Sequence, residues 1–153
     1  MTSPALRRLR HVDVDPSDPV ATWPYEALVA VLERGSLRDW AVLTAEFGRD
    51  PWGPVARQVE EYLRQETVPG LEPLLRRAIA RARRRAERTE RAAVAARVSK
   101  LVAESGLSAA EFAERIGTSR SRLSTYRHGR VTPSAALMLR MERVAVSVSG
   151  VAS

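Results

Sequence analysis

Cysteine is absent from the 153 residues, which excludes a disulfide framework, a thiolate zinc site and a cysteine nucleophile. The only histidines, His11 and His128, lack metal-ligand spacing, and no Gly-rich phosphate loop is present. Asp39, Glu46 and Asp50 read as caps or surface charges rather than as a catalytic set. The expectation is a protein with no enzymatic activity, metal or cofactor. No run of about 20 apolar residues occurs, and the opening MTSPALRRLRH has no apolar signal-peptide core. A soluble, cytoplasmic chain with no membrane contact is expected. Aromatic residues make up only 5% of a chain that is 44% hydrophobic. The apolar content therefore lies in small and aliphatic side chains suited to packing between helices, and the expected class is all-α.

Lysine is nearly missing too, with Lys100 standing against 24 arginines. Charge is spread unevenly. Residues 1–70 carry 8 Arg against 11 Asp or Glu, a net −3, and residues 71–153 carry 17 Lys or Arg against 7 Glu, a net +10. A basic half has the electrostatic footprint of a polyanion binder, whereas an acidic half suits a protein or effector partner. An arginine-rich coding bias produces the same totals without any such role, so the charge needs a motif to interpret it.

Residues 1–22 contain Pro4, Pro16 and Pro19 and an Asp-rich piece from Asp13 to Asp18, without sustained periodicity, and read as an extended arm. From Trp23 a helical stripe of Ala27, Leu28, Val31 and Leu32 runs to a stop at Gly35. Ser36 and Asp39 form a variant capping box ahead of Trp40, Leu43 and Phe47, with Gly48 as the stop. Asp50 is the expected N-cap, and Pro51 the first residue, of a third helix carrying Val55, Val59, Tyr62 and Leu63. Residues 23–70 thus read as a small helical domain, with three short helices over residues 23–66. It holds Trp23, Trp40 and Trp52 together with Tyr25, Phe47 and Tyr62. These aromatics are either its core or a face for a protein or effector partner.

Val68-Pro69-Gly70 interrupts the pattern, and Glu72-Pro73 reopens a helix with no Gly or Pro between Leu74 and Ser105. Residues 71–90 are expected to be a basic connecting helix. Along it Leu75, Ile79, Ala82, Ala86, Thr89 and Ala93 recur in steps of three and four, a seam on which two chains could pair. The arginines between Arg81 and Arg88, including Arg83-Arg84-Arg85, either lie on phosphates or form a solvated helix face.

From Val94 the pattern becomes more specific. Ser108 and Glu111 make a full capping box. Ala113 is small where two helices would cross, and Gly117, four residues on, suits a tight turn that needs a positive φ. Thr118 or Ser119 can cap the next helix, whose Leu123 and Tyr126 point back to Phe112 and Ile116. Pro133-Ser134 opens a last helix that closes the core with Leu137, Met138, Met141 and Val144. The run LSAAEFAERIGTSRSRLSTYRHGRVTPSAALMLRMERVA, Leu107 to Ala145, resembles the helix-turn-helix core of XRE-family, phage-repressor-like transcriptional regulators, and the resemblance covers about residues 94–145. It implies a DNA-binding domain over residues 91–147, followed by a tail at 148–153, with the helix from about Ser119 to Arg127 entering the major groove. By the same resemblance Arg120, Ser121, Arg122 and Thr125 are expected to contact bases, Arg120 foremost through two bonds to O6 and N7 of guanine. Ser119, Arg127, His128 and Arg130 are expected to contact phosphate.

Three features depart from the family. Ala109 stands where relatives commonly carry Gln, so a side-chain tether to phosphate is missing. Arg127 replaces a frequent Glu. Residues 147–153 are too small and β-branched for an obvious fifth helix, so that packing must come from the long helix, the N-terminal half or a second subunit. The implied function is a sequence-specific, nucleoid-associated transcriptional regulator of double-stranded DNA, a repressor acting as a homodimer on an inverted repeat with half-sites about 34 Å apart or a multiple of it. The alternative is an antitoxin, in which residues 23–66 neutralise a protein partner while the C-terminal domain represses its own operon.

Overall fold

The structure, a computed structural model, describes Val14, residues 18–66 and residues 70–150. Seven α-helices and no strand occur among the described residues: α1 (Tyr25–Arg34), α2 (Leu37–Arg49), α3 (Pro54–Gln65), α4 (Leu71–Ser105), α5 (Ala109–Ile116), α6 (Arg120–Arg127) and α7 (Ala135–Ser149). The chain divides into two compact units at Ala86 and Glu87. Each unit has its own apolar core, and the two cores share no residue. None of the described helices is long and apolar enough to cross a membrane.

In the first unit α1 buries Ala27, Leu28, Val31 and Leu32 against Leu43 and Phe47 of α2 and Val55, Val59 and Leu63 of α3. The α1–α2 corner is tight for a local reason. A side chain at Gly35 would bring its Cβ within 2.2 Å of the Val31 carbonyl oxygen, and the Trp40 indole Nε1 donates to that same oxygen at 2.9 Å. Ser36 and Asp39 form the expected reciprocal cap, with Ser36 N donating to Asp39 Oδ2 at 2.8 Å and Asp39 N to Ser36 Oγ at 3.4 Å. The Tyr62 hydroxyl donates to Glu33 Oε1 at 3.2 Å; burial first, and the Glu33 charge second, push the phenol above its usual range.

Two helix boundaries differ from the sequence reading. Gly48 does not stop α2, which continues to Arg49, where Asp50 N donates to the Glu46 carbonyl at 2.9 Å. Asp50 and Pro51 do not open α3 either. They form a turn closed by Gly53 N on the Asp50 carbonyl at 3.1 Å, and Pro54 takes the first helical position after the Gly53 N-cap. Either proline can supply the fixed φ that starts a helix, and burial of Pro51 in the turn selects Pro54. Most of the expected 1–22 arm, with Pro4, His11 and Pro16, lies outside the described residues, as do Val68, Pro69 and residues 151–153. The end of that arm is folded: Val20–Thr22 is a 3₁₀ turn, Val20 is buried, and the Trp23 indole donates to the Asp18 carbonyl at 3.1 Å. The aromatics divide by burial. Trp23 and Phe47 are buried and Trp40 half-buried, while Trp52 is 45% exposed.

The first turns of α4 complete this core. Leu71, Leu75 and Ile79 are buried in it and Ala82 packs against it, so the first half of the suggested pairing seam is already covered within one chain. The arginine run is divided as well. Arg83 donates from Nη1 and Nη2 to Glu60 Oε1 and Oε2 at 2.7 and 3.0 Å and from Nε to the Pro51 carbonyl at 3.0 Å. Its guanidinium ties α4 to α3 and to the Pro51 turn. Hydrogen bonds to charged groups contribute about 1.5 to 3 kcal/mol each, and this pair is only about one-quarter to one-third exposed. Arg83→Ala is therefore expected to destabilise the first unit by about 1.5 to 3 kcal/mol, measured by urea unfolding on tryptophan fluorescence. Arg83→Lys should recover little of it, because an ammonium cannot reproduce the two-pronged contact. An unchanged urea midpoint for Arg83→Ala would show that the pair contributes nothing.

Candidate nucleic-acid interface

The second unit is built from short helices whose ends are set by local chemistry. Ser108 caps α5: Glu111 N donates to Ser108 Oγ at 3.2 Å, and Ser108 N and Oγ donate to Glu111 Oε2 at 2.9 and 2.7 Å. The Ser108 hydroxyl, followed by its backbone amide, holds the Glu111 carboxyl below the usual range. That support is present above the unfolded-chain pKa and is lost as pH falls through the lowered folded one.

At the other end of α5, Gly117 has φ +79°, a left-handed conformation that L side chains adopt only with strain. Gly117 N donates to the Glu114 carbonyl at 3.0 Å and Thr118 N to the Ala113 carbonyl at 2.9 Å, the paired bonds of a Schellman stop. This turn redirects the chain into α6, which Ser119 caps by accepting from Arg122 N at 3.1 Å. Ser134 caps α7 through Leu137 N at 3.2 Å.

Phe112, Ala113 and Ile116 of α5, Leu123 and Tyr126 of α6, and Met141 and Ala145 of α7 form the core. The packing that a fifth helix would supply comes from the last turns of α4, where Val98, Leu101 and Val102 are buried in the same core. Residues 147–149 continue α7 rather than form a separate element.

Two helices crossing at a small residue, a left-handed glycine turn and a capped second helix make a helix-turn-helix arrangement, and residues 98–144 match the helix-turn-helix family. This segment is an XRE-family helix-turn-helix domain. Neither a curated protein nor a solved structure matches the chain.

The helix-turn-helix domain separates the residues singled out by sequence. Arg120 and Ser121, in the first turn of α6, are exposed, and among the described residues no hydrogen bond or ion pair holds their side chains. Arg122 is engaged: its Nε donates to the Tyr126 hydroxyl at 2.9 Å, with the guanidinium carbon 6.0 Å from the ring centroid. Thr125 is half-buried and its hydroxyl donates to the Arg122 carbonyl at 2.6 Å. His128 Nδ1 lies 2.7 Å from the Ser124 carbonyl oxygen. A carbonyl only accepts, so Nδ1 is the donor in this contact. Arg127 and Arg130 are exposed, and the backbone of the Gly129 turn between them is closed by Arg130 N on the Thr125 carbonyl at 3.0 Å.

One feature of this unit escaped the sequence reading. The turn at His128 and Gly129 faces the α4 stretch from Arg88 to Ser99 across a cleft of about 490 Å³. Arg91 was not singled out because a motif defined from Leu107 onward does not include it. The signal was the i, i+3, i+7 spacing of Arg88, Arg91 and Ala95, which puts two guanidiniums and a small residue on one helix face.

Proposed function

We propose that the chain is a sequence-specific repressor of transcription that binds double-stranded DNA as a homodimer, each copy laying α6 in the major groove of one half of an inverted repeat. The reading rests above all on the first turn of α6, where a helix-turn-helix domain presents an arginine and a serine with no partner among the described residues. Arg120 is the principal base-reading residue, because a free guanidinium can match O6 and N7 of guanine with two parallel bonds. Ser121 reads the neighbouring base edge, and the Thr125 methyl suits contact with thymine. Arg122 contributes charge from its position against Tyr126. Ser119, Arg127, His128 and Arg130 contact phosphates and set the register of the helix. An eight-residue reading helix spans few base pairs, so two copies about 34 Å apart on one face of the duplex supply the affinity.

The test is selection of bound sequences from a random pool with the full chain, followed by binding of the selected site to wild type and Arg120→Ala. The variant is expected to lose about 1 to 3 kcal/mol on the selected site and to relax preference at one base pair, with little change on random DNA. An equal loss on random DNA would move Arg120 to the phosphate contacts. A pool that emerges unenriched would overturn the reading.

A further inference from the structure

We propose that the cleft between α4 and the Gly129 turn holds a phosphate of the DNA backbone, so that α4, ahead of the matched helix-turn-helix segment, forms part of the DNA interface. The proposal rests on the DNA-binding reading above and deepens it.

Arg88 and Arg91 from α4 and Arg127 from the end of α6 line the cleft together, with no carboxylate in the lining. None of the three forms an ion pair among the described residues, whereas Arg49, Arg64, Arg76, Arg83 and Arg97 all do. Three guanidiniums gathered around one space without a counter-charge repel each other, and the arrangement becomes favourable when an anion enters. The wall between them is low. Alanines at 92, 95 and 96 leave the helix surface bare of long side chains, so that a phosphate group can approach the backbone.

The opposite wall is held in place by Gly129, whose φ of +69° shapes the turn. A Cβ built there would lie 3.6 Å from the Ala95 Cβ and 4.0 Å from the Arg91 Cγ, so a side chain at this position would reach α4 and glycine leaves that space open. The cleft also directly follows α6, the helix proposed above to read the bases. Arginine is suited to the task, because its planar fork donates two parallel bonds to phosphate oxygens.

The experiment uses the full chain, the selected operator and a random duplex, with affinity measured across a salt series. Arg88→Gln with Arg91→Gln is expected to lower the slope of log affinity against log salt by about 0.9, the value for one phosphate no longer neutralised, equally on operator and random DNA. Base preference should be unchanged. The Arg88→Lys, Arg91→Lys pair should keep most of the slope, since it keeps the charge. Both arginines are exposed, so the melting temperature should not fall in either variant, which separates weaker phosphate binding from a damaged fold. An unchanged slope in the glutamine variant, with wild type binding its operator, overturns the cleft assignment and leaves the helix-turn-helix reading standing. Failure of wild type to bind any duplex overturns both. Inorganic phosphate at fixed ionic strength provides a further arm. If it raises the melting temperature of wild type but not of the glutamine variant, while the salt slopes agree, the cleft is a free-anion site and the proposal falls.

Discussion

Phe112→Ala is expected to cost the helix-turn-helix domain about 3 to 5 kcal/mol, the range for removing a fully buried phenylalanine, and with it specific DNA binding. Phe112 is 0% exposed and lies in the core that joins α5 to Leu123 and Tyr126 of α6 and to Val98 and Leu101 of α4. Few large side chains share the load, because this core contains one phenylalanine, one tyrosine and otherwise aliphatic residues. Neighbouring alanines cannot expand into the space, so the cavity stays open and its cost adds to the lost transfer energy. Domains of this size have total stabilities of only about 5 to 15 kcal/mol, and often the lower end. Much of the variant population should be unfolded at 37 °C. Circular dichroism melting of the full chain together with operator binding checks this. A loss under about 1 kcal/mol would show that the ring is not packed as described.

The features legible in the sequence are those decided within one turn of the chain. The Ser36–Asp39 and Ser108–Glu111 boxes and the Ser119 cap are each an interaction over three residues, and each is present in the structure. Gly117 was readable for the same reason, since its φ is a property of the residue itself. What was hidden depends on partners far along the chain. Gly48 costs about 1 kcal/mol in a helix relative to alanine, and propensity alone ends α2 there. Burial of Glu46 and Phe47 carries the helix one residue further.

The same limit applies to charge. Arg83, Arg84 and Arg85 look equivalent in sequence, yet Arg83 meets Glu60 from 23 residues away and serves the fold. In the interface, periodicity indicated which face of α6 is buried, but it gave no sign that Arg122 folds back on Tyr126 while Arg120 stays unengaged. This case differs from Arg83, because the i, i+4 spacing of Arg122 and Tyr126 that sets the guanidinium beside the phenol is itself local.

Phe47→Ala should be as damaging to the first unit, again about 3 to 5 kcal/mol, yet leave the second unit folded and able to bind DNA. Phe47 is 0% exposed and packs among Leu28, Leu32, Leu43 and Val59, with α4 contributing Leu75 and Ile79. No member of that cluster appears in the core around Phe112. Although α4 runs continuously from Leu71 to Ser105, it serves the two cores with different residues, Leu71 to Ile79 for one and Val98 to Val102 for the other. Fraying of its first turns therefore removes no side chain from the second core. The three tryptophans make the separation measurable, because Trp23, Trp40 and Trp52 all belong to the first unit. In Phe47→Ala the fluorescence transition in urea should shift to much lower concentration. A second transition, seen by circular dichroism, should stay where it is in wild type, and affinity for a single half-site should be retained. Loss of affinity for the full inverted repeat, with half-site binding intact, would place the dimer interface in the first unit. A single shared transition, or loss of half-site binding along with the fluorescence signal, would show that the two cores fold as one.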